Sequence, residues 1–288
     1  MDSFGTRLRT ATARRGRLCV GIDPHPELLA AWGLDDDLAG LERFTATVVE
    51  ALAERVAVVK PQSAFYERHG SRGIMILESY IRQLREAGAL VLLDAKRGDI
   101  GSTVAAYARA YLDQSAPMAV DAVTASPYLG VGALRPMIDT ALAQGAGVFV
   151  LALTSNPQGR EVQHAVRADG RTVAQAVIDE IAQVNAGVPG PGSIGVVVGA
   201  TIGRTGHDMT EVNGPILVPG LGAQGGTAAG LREVFGVRCT GLLPSYSREV
   251  LGAGPGVPAL RAAADRVRSE CESALVGADE PISDDLGH

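Results

Sequence analysis

The segment Asp94-Ala95-Lys96-Arg97-Gly98-Asp99 carries the side chains of this sequence that are best suited to chemistry. It continues a short apolar run, so Asp94 and Lys96 fall at the end of a predicted strand. Because these residues are two positions apart, their side chains point the same way on an extended segment. Lys60 ends the preceding apolar run and comes within reach of Asp94 if the two strands are neighbours. The order Lys60, Asp94, Lys96, Asp99 alternates positive and negative charge.

This alternation favours one kind of catalysis. Flanking carboxylates favour the ammonium form of Lys96. An ammonium group is a poor Schiff-base nucleophile, but it is well suited to stabilise a developing carbanion and to protonate it. The carboxylates could instead hold Mg²⁺, although Lys96 already supplies a cation there, so we predict neither a metal nor a cofactor. The structural alternative is an ion-pair network that closes the end of the fold.

A second group of residues is suited to binding a phosphate. The apolar run 216–218 leads into a glycine-rich segment that contains Pro219, Gly220 and Gln224. Glycines let backbone N–H groups approach an anion closely, and a predicted helix at 227–235 would follow. The next apolar run leads to Ser247 and Arg248. A guanidinium at that position can bind phosphate through two hydrogen bonds.

The spacing of apolar residues predicts the elements that position these groups. Strands are expected at 18–22, 56–60, 90–94, 122–125, 148–154, 194–200, 216–218 and 241–244, with helical patterns between them. Eight alternating units predict the α/β class and a (β/α)8 TIM barrel, a single domain over residues 1–276, whose active site forms at the carboxyl ends of the strands. Residues 277–288 are acidic and predict a disordered tail.

The alternative fold is an open doubly wound sheet. A dinucleotide-binding sheet would carry a GxGxxG turn after its first strand. The sequence has Asp23-Pro24-His25-Pro26 at that point, which favours the barrel.

Composition limits the classes of partner. The net charge of −6 argues against nucleic-acid and membrane surfaces, and no apolar run is long enough to span a bilayer. The cysteines, Cys19, Cys239 and Cys271, are widely spaced and form no CxxC pattern, so we predict neither disulfides nor zinc. A cytoplasmic enzyme is expected.

At these motifs the chain resembles the orotidine 5′-phosphate decarboxylase family, most closely its longer bacterial subfamily. The motif from Asp94 to Ile100, followed by Thr103, carries the resemblance most specifically. The other matching motifs, in the same order as in the family, are Val20-Gly21-Ile22-Asp23-Pro24, Lys60-Pro61, Thr154-Ser155-Asn156-Pro157 and Pro219-Gly220…Gln224-Gly225-Gly226. The resemblance extends from about Phe4 to Leu251.

The resemblance implies cofactor-free decarboxylation of orotidine 5′-phosphate to UMP in pyrimidine biosynthesis. Lys96 would protonate C6 of the pyrimidine, Asp94 would lie beside the departing carboxylate, and Lys60 would position Asp94. Asp99 and Thr103 would reach the active site of a partner subunit, which implies a homodimer with shared sites.

The resemblance also implies a set of substrate contacts. Asp23 and Lys60 would contact the ribose, Ser155 the pyrimidine, and Gln224 and Arg248 the phosphate. Ser126, before Pro127, is a rival to Ser155. The full predicted set is Asp23, Ile100, Thr103, Pro127, Thr154, Ser155, Pro219, Gly220, Gln224, Ser247 and Arg248. Arg97 is expected to point away from Lys96 and to pair with an acidic residue.

Two other functions stay open at this point. One is a magnesium-dependent sugar-phosphate decarboxylase or aldolase-type synthase on the same barrel, since such enzymes share the Asp-x-Lys-x-x-Asp core. The other is a non-catalytic barrel that binds a phosphorylated ligand.

Overall fold

Eight runs of Val, Leu, Ile and Ala form the strands, as expected for strands that are covered on both faces. The computed structural model describes residues 2–204, 206–236 and 239–275. The strands in chain order are β1 (Cys19–Ile22), β2 (Val58–Pro61), β3 (Leu90–Arg97), β4 (Ala122–Ala125), β5 (Gly147–Leu153), β6 (Ile194–Val198), β7 (Ile216–Val218) and β8 (Leu242–Tyr246).

The strands close into a barrel. Each strand pairs in parallel with the next one in the chain, and β8 pairs with β1. The predicted α/β class and (β/α)8 barrel are confirmed, and the alternative of an open sheet is wrong.

Helices cover the outside of the barrel. They are α1 (Phe4–Arg15), α2 (Pro26–Ala31), α3 (Leu38–Leu52), α4 (Ala64–Glu67), α5 (Gly70–Glu86), α6 (Gly101–Leu112), α7 (Arg135–Ala143), α8 (Arg160–Gln163), α9 (Val173–Asn185), α10 (Leu231–Phe235), α11 (Arg248–Leu251) and α12 (Val257–Leu275). Except for α1, their apolar faces pack on the outward side chains of the strands and form one large buried cluster.

Helix α1 covers the end of the barrel at which the strands begin. Phe4 packs edge-on against Phe149 of β5, with ring centroids 5.9 Å apart. Arg7 forms an ion pair with the buried Asp121 and donates a hydrogen bond to the Gly145 carbonyl at 2.8 Å. The sequence pattern does not predict α1, because Arg and Thr occupy most of its surface. The helix is instead fixed by these contacts with distant residues.

Alternation along the strands decides which side chains reach the barrel interior. Side chains buried there include Val58 of β2, Leu92 of β3 and Ala122 of β4. Two residues further along these strands are Lys60, Asp94 and Thr124, which therefore face the same way. The strand pattern thus places two charges and a hydroxyl in one layer at the carboxyl end of the barrel.

Several predicted boundaries differ from the structure, most of them by one or two residues. β3 continues to Arg97 instead of ending at residue 94, and β6 ends at Val198. The predicted helix 227–235 is wrong in its first half: residues 228–230 form turns, and α10 begins at Leu231. The predicted acidic tail lies outside the described residues, and the domain boundary at residue 276 stays a prediction. Within the described ranges, none of the helices combines the length and apolar character needed to cross a membrane.

Candidate active site

Asp94 is the centre of the polar layer at the carboxyl end of the barrel. Its Oδ2 accepts hydrogen bonds from Lys60 Nζ at 2.9 Å and from Gln62 Nε2 at 3.1 Å. Its Oδ1 accepts from Lys96 Nζ at 2.5 Å and from Thr124 Oγ1 at 2.9 Å. Two cations and two neutral donors therefore satisfy a carboxylate that is only 7% exposed. Such pairing is what makes a buried charge tolerable.

Burial and neighbouring charges shift the pKa values of Asp94 and Lys60 in opposite directions. Burial alone would raise the pKa of Asp94, but the positive charges of Lys60 and Lys96 outweigh it and hold that pKa far below its usual range. Burial would likewise lower the pKa of Lys60, but the negative charges of Asp94 and Asp23 outweigh it and raise that pKa. Asp94 is therefore an anion and Lys60 a cation at neutral pH, and neither is set up to exchange a proton there.

Lys96 reaches Asp94 through an unusual backbone conformation. Its φ is +47°, in the left-handed region that side chains other than glycine rarely adopt. The pairing of β3 with β4 shifts register between Leu93 and Arg97, which marks a bulge at this point. The Lys96 side chain is 47% exposed, against 8% for Lys60. Lys96 is thus the more exposed of the two cations in the layer.

The presence of lysine and not arginine at positions 60 and 96 is itself informative. The sequence holds 26 Lys and Arg residues, and only Lys60 and Lys96 are lysines. Arginine stays charged at all accessible pH values, whereas an ammonium is a compact group that can give up its proton. A chain that uses arginine everywhere else has kept lysine where the two ammonium groups meet Asp94.

A cavity of about 660 Å³ opens at this layer. Lys60, Asp94 and Lys96 line it together with most of the predicted substrate-binding residues: Asp23, Thr154, Ser155, Pro219, Gly220, Gln224, Ser247 and Arg248. The ion pairs of Asp94 with Lys60 and Lys96 are present, but they line an opening instead of closing the barrel, so the cavity argues against a purely structural network.

Two buried polar atoms on the cavity wall have no partner among the described residues. They are Asp23 Oδ1 and Ser247 Oγ. Both residues border Gly21 of β1, where an added Cβ would lie 3.0 Å from Asp23 Oδ2 and 3.3 Å from Ser247 Oγ. A buried polar atom without a hydrogen bond costs about 1–3 kcal/mol. Their position beside the cavity makes a ligand the natural source of the missing partners.

The glycine-rich loop after β7 forms one side of the cavity. Gly220 has φ +95°, and Gly226 N donates to its carbonyl at 3.0 Å, so the loop turns back on itself. Gln224 of this loop lines the cavity, and so does Arg248, the first residue of α11. The Arg248 guanidinium has no ion-pair or hydrogen-bond partner within the described part of the chain. The expected helix N-terminus is not at this loop, because turns separate it from α10.

The segment after β5 is held in place by Gln163 of α8. Thr154 N donates to Gln163 Oε1 at 3.0 Å, and Gln163 Nε2 donates to Thr154 Oγ1 at 2.8 Å. Thr154 and Ser155 therefore present a fixed edge to the cavity. Ser126 is not among the cavity-lining residues. Of the two serines considered for a base contact, the structure brings Ser155 to the cavity.

Four predicted residues do not line the cavity of this chain: Asp99, Ile100, Thr103 and Pro127. Ile100 is 62% exposed and Thr103 lies on the exposed side of α6. The exposed apolar side chains Tyr128 and Leu129 follow Pro127. The segment that contains them contacts the segment that leads to Ile100, because Ser126 N donates to the Arg97 carbonyl at 2.9 Å. We call Ile100, Tyr128 and Leu129 the rim patch. These four residues therefore do not reach the cavity of their own chain.

Arg97 behaves as expected from its place in the motif. Its guanidinium forms an ion pair with Glu67 of α4 and donates to the Ala95 carbonyl at 3.1 Å. The predicted structural pair is confirmed.

Sequence reasoning missed Gln62 and Thr124, which both donate to Asp94. No motif marks them. Strand alternation offers the signal, because Gln62 follows Lys60 by two positions and Thr124 follows the inward-facing Ala122. Among the described residues, no group of three or more His, Cys, Asp or Glu side chains is arranged to hold a metal ion.

Comparisons with a family model and with known sequences all lead to the same family. Residues 16–263 match the model of the orotidine 5′-phosphate decarboxylase / HUMPS family. An orotidine 5′-phosphate decarboxylase of Salinispora arenicola is 72% identical over 277 residues, which cover 96% of this chain and 100% of that protein. The corresponding protein of Salinispora tropica is 70% identical over 277 residues, with the same coverage of 96% and 100%.

A solved structure agrees with these sequence matches. A crystal structure from Streptomyces avermitilis, of a protein assigned as an orotidine 5′-phosphate decarboxylase, superposes with a TM-score of 0.92 at 58% identity, covering 96% of each chain. Sequence and fold thus match over nearly the whole length, and the motif residues lie together at one cavity. The chain belongs to the orotidine 5′-phosphate decarboxylase family.

Proposed function

We propose that this chain decarboxylates orotidine 5′-phosphate to UMP and that Lys96 is the acid that protonates C6 of the pyrimidine. One observation in particular supports the assignment of Lys96 as the acid. Lys96 Nζ lies 2.5 Å from an ionised Asp94 on the wall of an open cavity, while Lys60 on the other side of Asp94 is buried. Lys96 is the accessible ammonium of the pair.

The shape of the cavity suggests how the substrate is oriented. Arg248 and Gln224 form the end that suits the phosphate, because a free guanidinium forms strong charge-assisted hydrogen bonds with phosphate oxygens. Asp23 and Ser247 carry the unsatisfied buried atoms and suit hydroxyl groups of the ribose and nearby phosphate oxygens. The pyrimidine then extends towards Ser155 and the Lys96–Asp94 pair.

The chemical step balances without any further reactant. The bond between C6 and the carboxylate carbon breaks, CO₂ leaves, and the electron pair stays on C6. The Lys96 ammonium stabilises this carbanion and transfers one proton to it, which gives UMP. The resulting neutral amine regains a proton from solvent. Asp94 keeps its negative charge throughout, since its pKa is held far below neutrality.

Binding energy from the phosphate end contributes to the rate in this scheme. The phosphate is remote from C6, so its contacts orient the pyrimidine without changing during the reaction. The glycine-rich loop carries Gln224 on an exposed segment, and its closure over the phosphate would exclude water from the reacting centre.

We also propose that the enzyme is a homodimer with shared active sites. Asp99 and Thr103 do not line the cavity of their own chain, although the motif assigns them to the site. The rim patch beside them exposes 62% of Ile100, 80% of Tyr128 and 54% of Leu129. Exposed apolar residues grouped in this way are typical of protein interfaces. A second copy that covers the rim patch would bring Asp99 and Thr103 to the neighbouring cavity.

A cytoplasmic location fits the cysteines. Cys19, Cys239 and Cys271 are all buried free thiols, a state that a reducing compartment maintains. The negative net charge of −6 gives no basis for a nucleic-acid partner.

The alternative left open by the sequence is a magnesium-dependent sugar-phosphate enzyme, so the decisive experiment varies the metal. Turnover of orotidine 5′-phosphate is followed by pyrimidine absorbance in the presence of EDTA and again after Mg²⁺ is added. We expect the same rate in both. Activity that disappears with EDTA and returns with Mg²⁺ would favour the sugar-phosphate type of enzyme. Binding of UMP without any absorbance change from the substrate would identify a non-catalytic ligand-binding barrel.

A further inference from the structure

Thr124 lies in the polar layer but belongs to none of the motifs. It faces the barrel interior from β4 and is only 1% exposed. Its hydroxyl makes one hydrogen bond to each of Lys96 and Asp94. It accepts from Lys96 N at 2.9 Å and donates to Asp94 Oδ1 at 2.9 Å. One side chain therefore contacts the backbone of one residue and the carboxylate of the other.

The first hydrogen bond compensates for an irregular backbone. The register of β3 on β4 shifts between Leu93 and Arg97, so Lys96 N is not part of a regular ladder. Lys96 also has φ +47°, a conformation that costs free energy for a residue with a Cβ. The Thr124 hydroxyl takes the place of the carbonyl that a regular strand would offer to this N–H.

The second hydrogen bond fixes the orientation of Asp94. Oδ1 accepts from both Lys96 Nζ and Thr124 Oγ1, while Oδ2 accepts from Lys60 and Gln62. With both oxygens held, the carboxylate cannot rotate without breaking a hydrogen bond to a buried group. The position of Lys96 Nζ depends on this orientation, because the 2.5 Å contact is with Oδ1.

We propose that Thr124 is a positioning residue for the decarboxylation, acting through the bulge at Lys96 and through the orientation of Asp94. This inference rests on the proposed function, since it concerns the geometry of the same proton donor. The hydroxyl, not the methyl group, carries the role. Thr124 makes no proposed contact with the phosphate or the ribose, so ground-state binding depends little on it.

The test compares Thr124→Val, which keeps the shape and removes the hydroxyl, with Thr124→Ser, which keeps the hydroxyl. The matched control is Thr45→Val. Thr45 is fully buried in α3 and donates to the Leu41 carbonyl at 2.8 Å, away from the cavity. The measurements are kcat and KM for orotidine 5′-phosphate, the Kd of UMP, and stability in urea.

We expect Thr124→Val to lower kcat by about 10- to 100-fold, the effect of a misplacement of about 1 Å, while KM and the UMP Kd change much less. Thr124→Ser should recover most of kcat, and Thr45→Val should lose stability but keep wild-type kcat. Unchanged kcat in Thr124→Val would overturn the inference. Equal losses in Thr124→Ser and Thr124→Val, or a parallel loss of UMP binding, would overturn it as well.

A second pair of variants covers the case in which Thr124→Val does not fold. Thr124→Cys has nearly the size of Thr124→Ser but a much weaker donor. The serine variant should then have the higher kcat by about tenfold or more, and equal values would overturn the inference. A wild-type protein without turnover would overturn the proposed function and this inference with it. Wild-type turnover with an unaffected Thr124→Val would overturn the inference alone.

Discussion

Lys60 Nζ lies 2.9 Å from Asp94 Oδ2 across the neighbouring strands β2 and β3, with side chains only 8% and 9% exposed. This buried ion pair fixes one oxygen of Asp94 and leaves the other for Lys96. In the proposed mechanism Lys60 neutralises Asp94 from the barrel interior, and the half-exposed Lys96 acts as the acid while Asp94 stays ionised. We assign different roles to the two lysines because they differ in exposure: Lys60 as the buried counter-charge and Lys96 as the accessible acid.

The buried pair predicts a large effect of Asp94 on stability. Asp94→Ala leaves the Lys60 ammonium buried without its counter-charge, and breaking such a pair costs about 3–5 kcal/mol. Urea unfolding of the wild type and the variant measures this loss. Asp139→Ala is the matched control, since it breaks the exposed Arg135–Asp139 pair, and it should change stability far less. Equal losses in both variants would contradict a buried, ionised pair.

The depressed pKa of Asp94 predicts a loss of stability in acid. An unfolded aspartate takes up a proton near its ordinary value of about 4, whereas folded Asp94 stays ionised to lower pH. Between the unfolded and folded pKa values of Asp94, the unfolded state binds more protons than the folded state. The contribution of Asp94 to stability is therefore fully present above the unfolded pKa, and it is lost as the pH falls through the folded pKa. Urea unfolding from pH 6 to about pH 2.5 should show this slope, and Asp94→Asn should reduce it while Asp139→Asn should not. An unchanged slope in Asp94→Asn would mean that the fold does not lower the pKa of Asp94.

Arg248 is predicted to act on the phosphate alone. Removing a charge-assisted hydrogen bond costs about 1.5–3 kcal/mol, so Arg248→Ala should raise KM for orotidine 5′-phosphate by about 10- to 100-fold. The same variant should have little effect on phosphate-free orotidine. Arg266→Ala is the control, since Arg266 pairs with Glu249 outside the cavity. Equal losses for both substrates would identify Arg248 as a structural residue.

Shared active sites predict that two inactive variants restore each other. Lys96→Ala and Asp99→Ala chains, co-expressed, form mixed dimers with one doubly substituted site and one intact site. Random assembly should give about a quarter of the wild-type activity. Lys96→Ala mixed with Asp94→Asn is the control, because both residues belong to the same chain's half of the site and no intact site can form. Equal activity in the two mixtures would contradict the shared site.

Much of the site follows from strand alternation and motif order. The apolar runs predict all eight strands, and alternation places Lys60 and Asp94 on the inside. The occurrence of lysine at only two positions, Lys60 and Lys96, is a further signal in the sequence, separate from the motifs. These features are local, so they can be read from the chain directly.

Other features depend on distant contacts and cannot be read from a local pattern. The left-handed Lys96 donates its backbone N–H to the hydroxyl of Thr124, which lies 28 positions away in the chain. Helix α1 depends on Phe149 and Asp121, and its own sequence lacks a clear apolar face. The helix after the glycine-rich loop is shorter than predicted, because the turns at 228–230 delay its start.

The central claim is that Lys96 donates the proton to C6. The most direct test is the absorbance assay with orotidine 5′-phosphate, run without metal on the wild type and on Lys96→Ala, with UMP binding measured in parallel. We predict turnover by the wild type, near-complete loss in Lys96→Ala, and UMP binding that is retained because the proposed phosphate and ribose contacts lie elsewhere in the cavity. Unchanged turnover in Lys96→Ala would contradict the account.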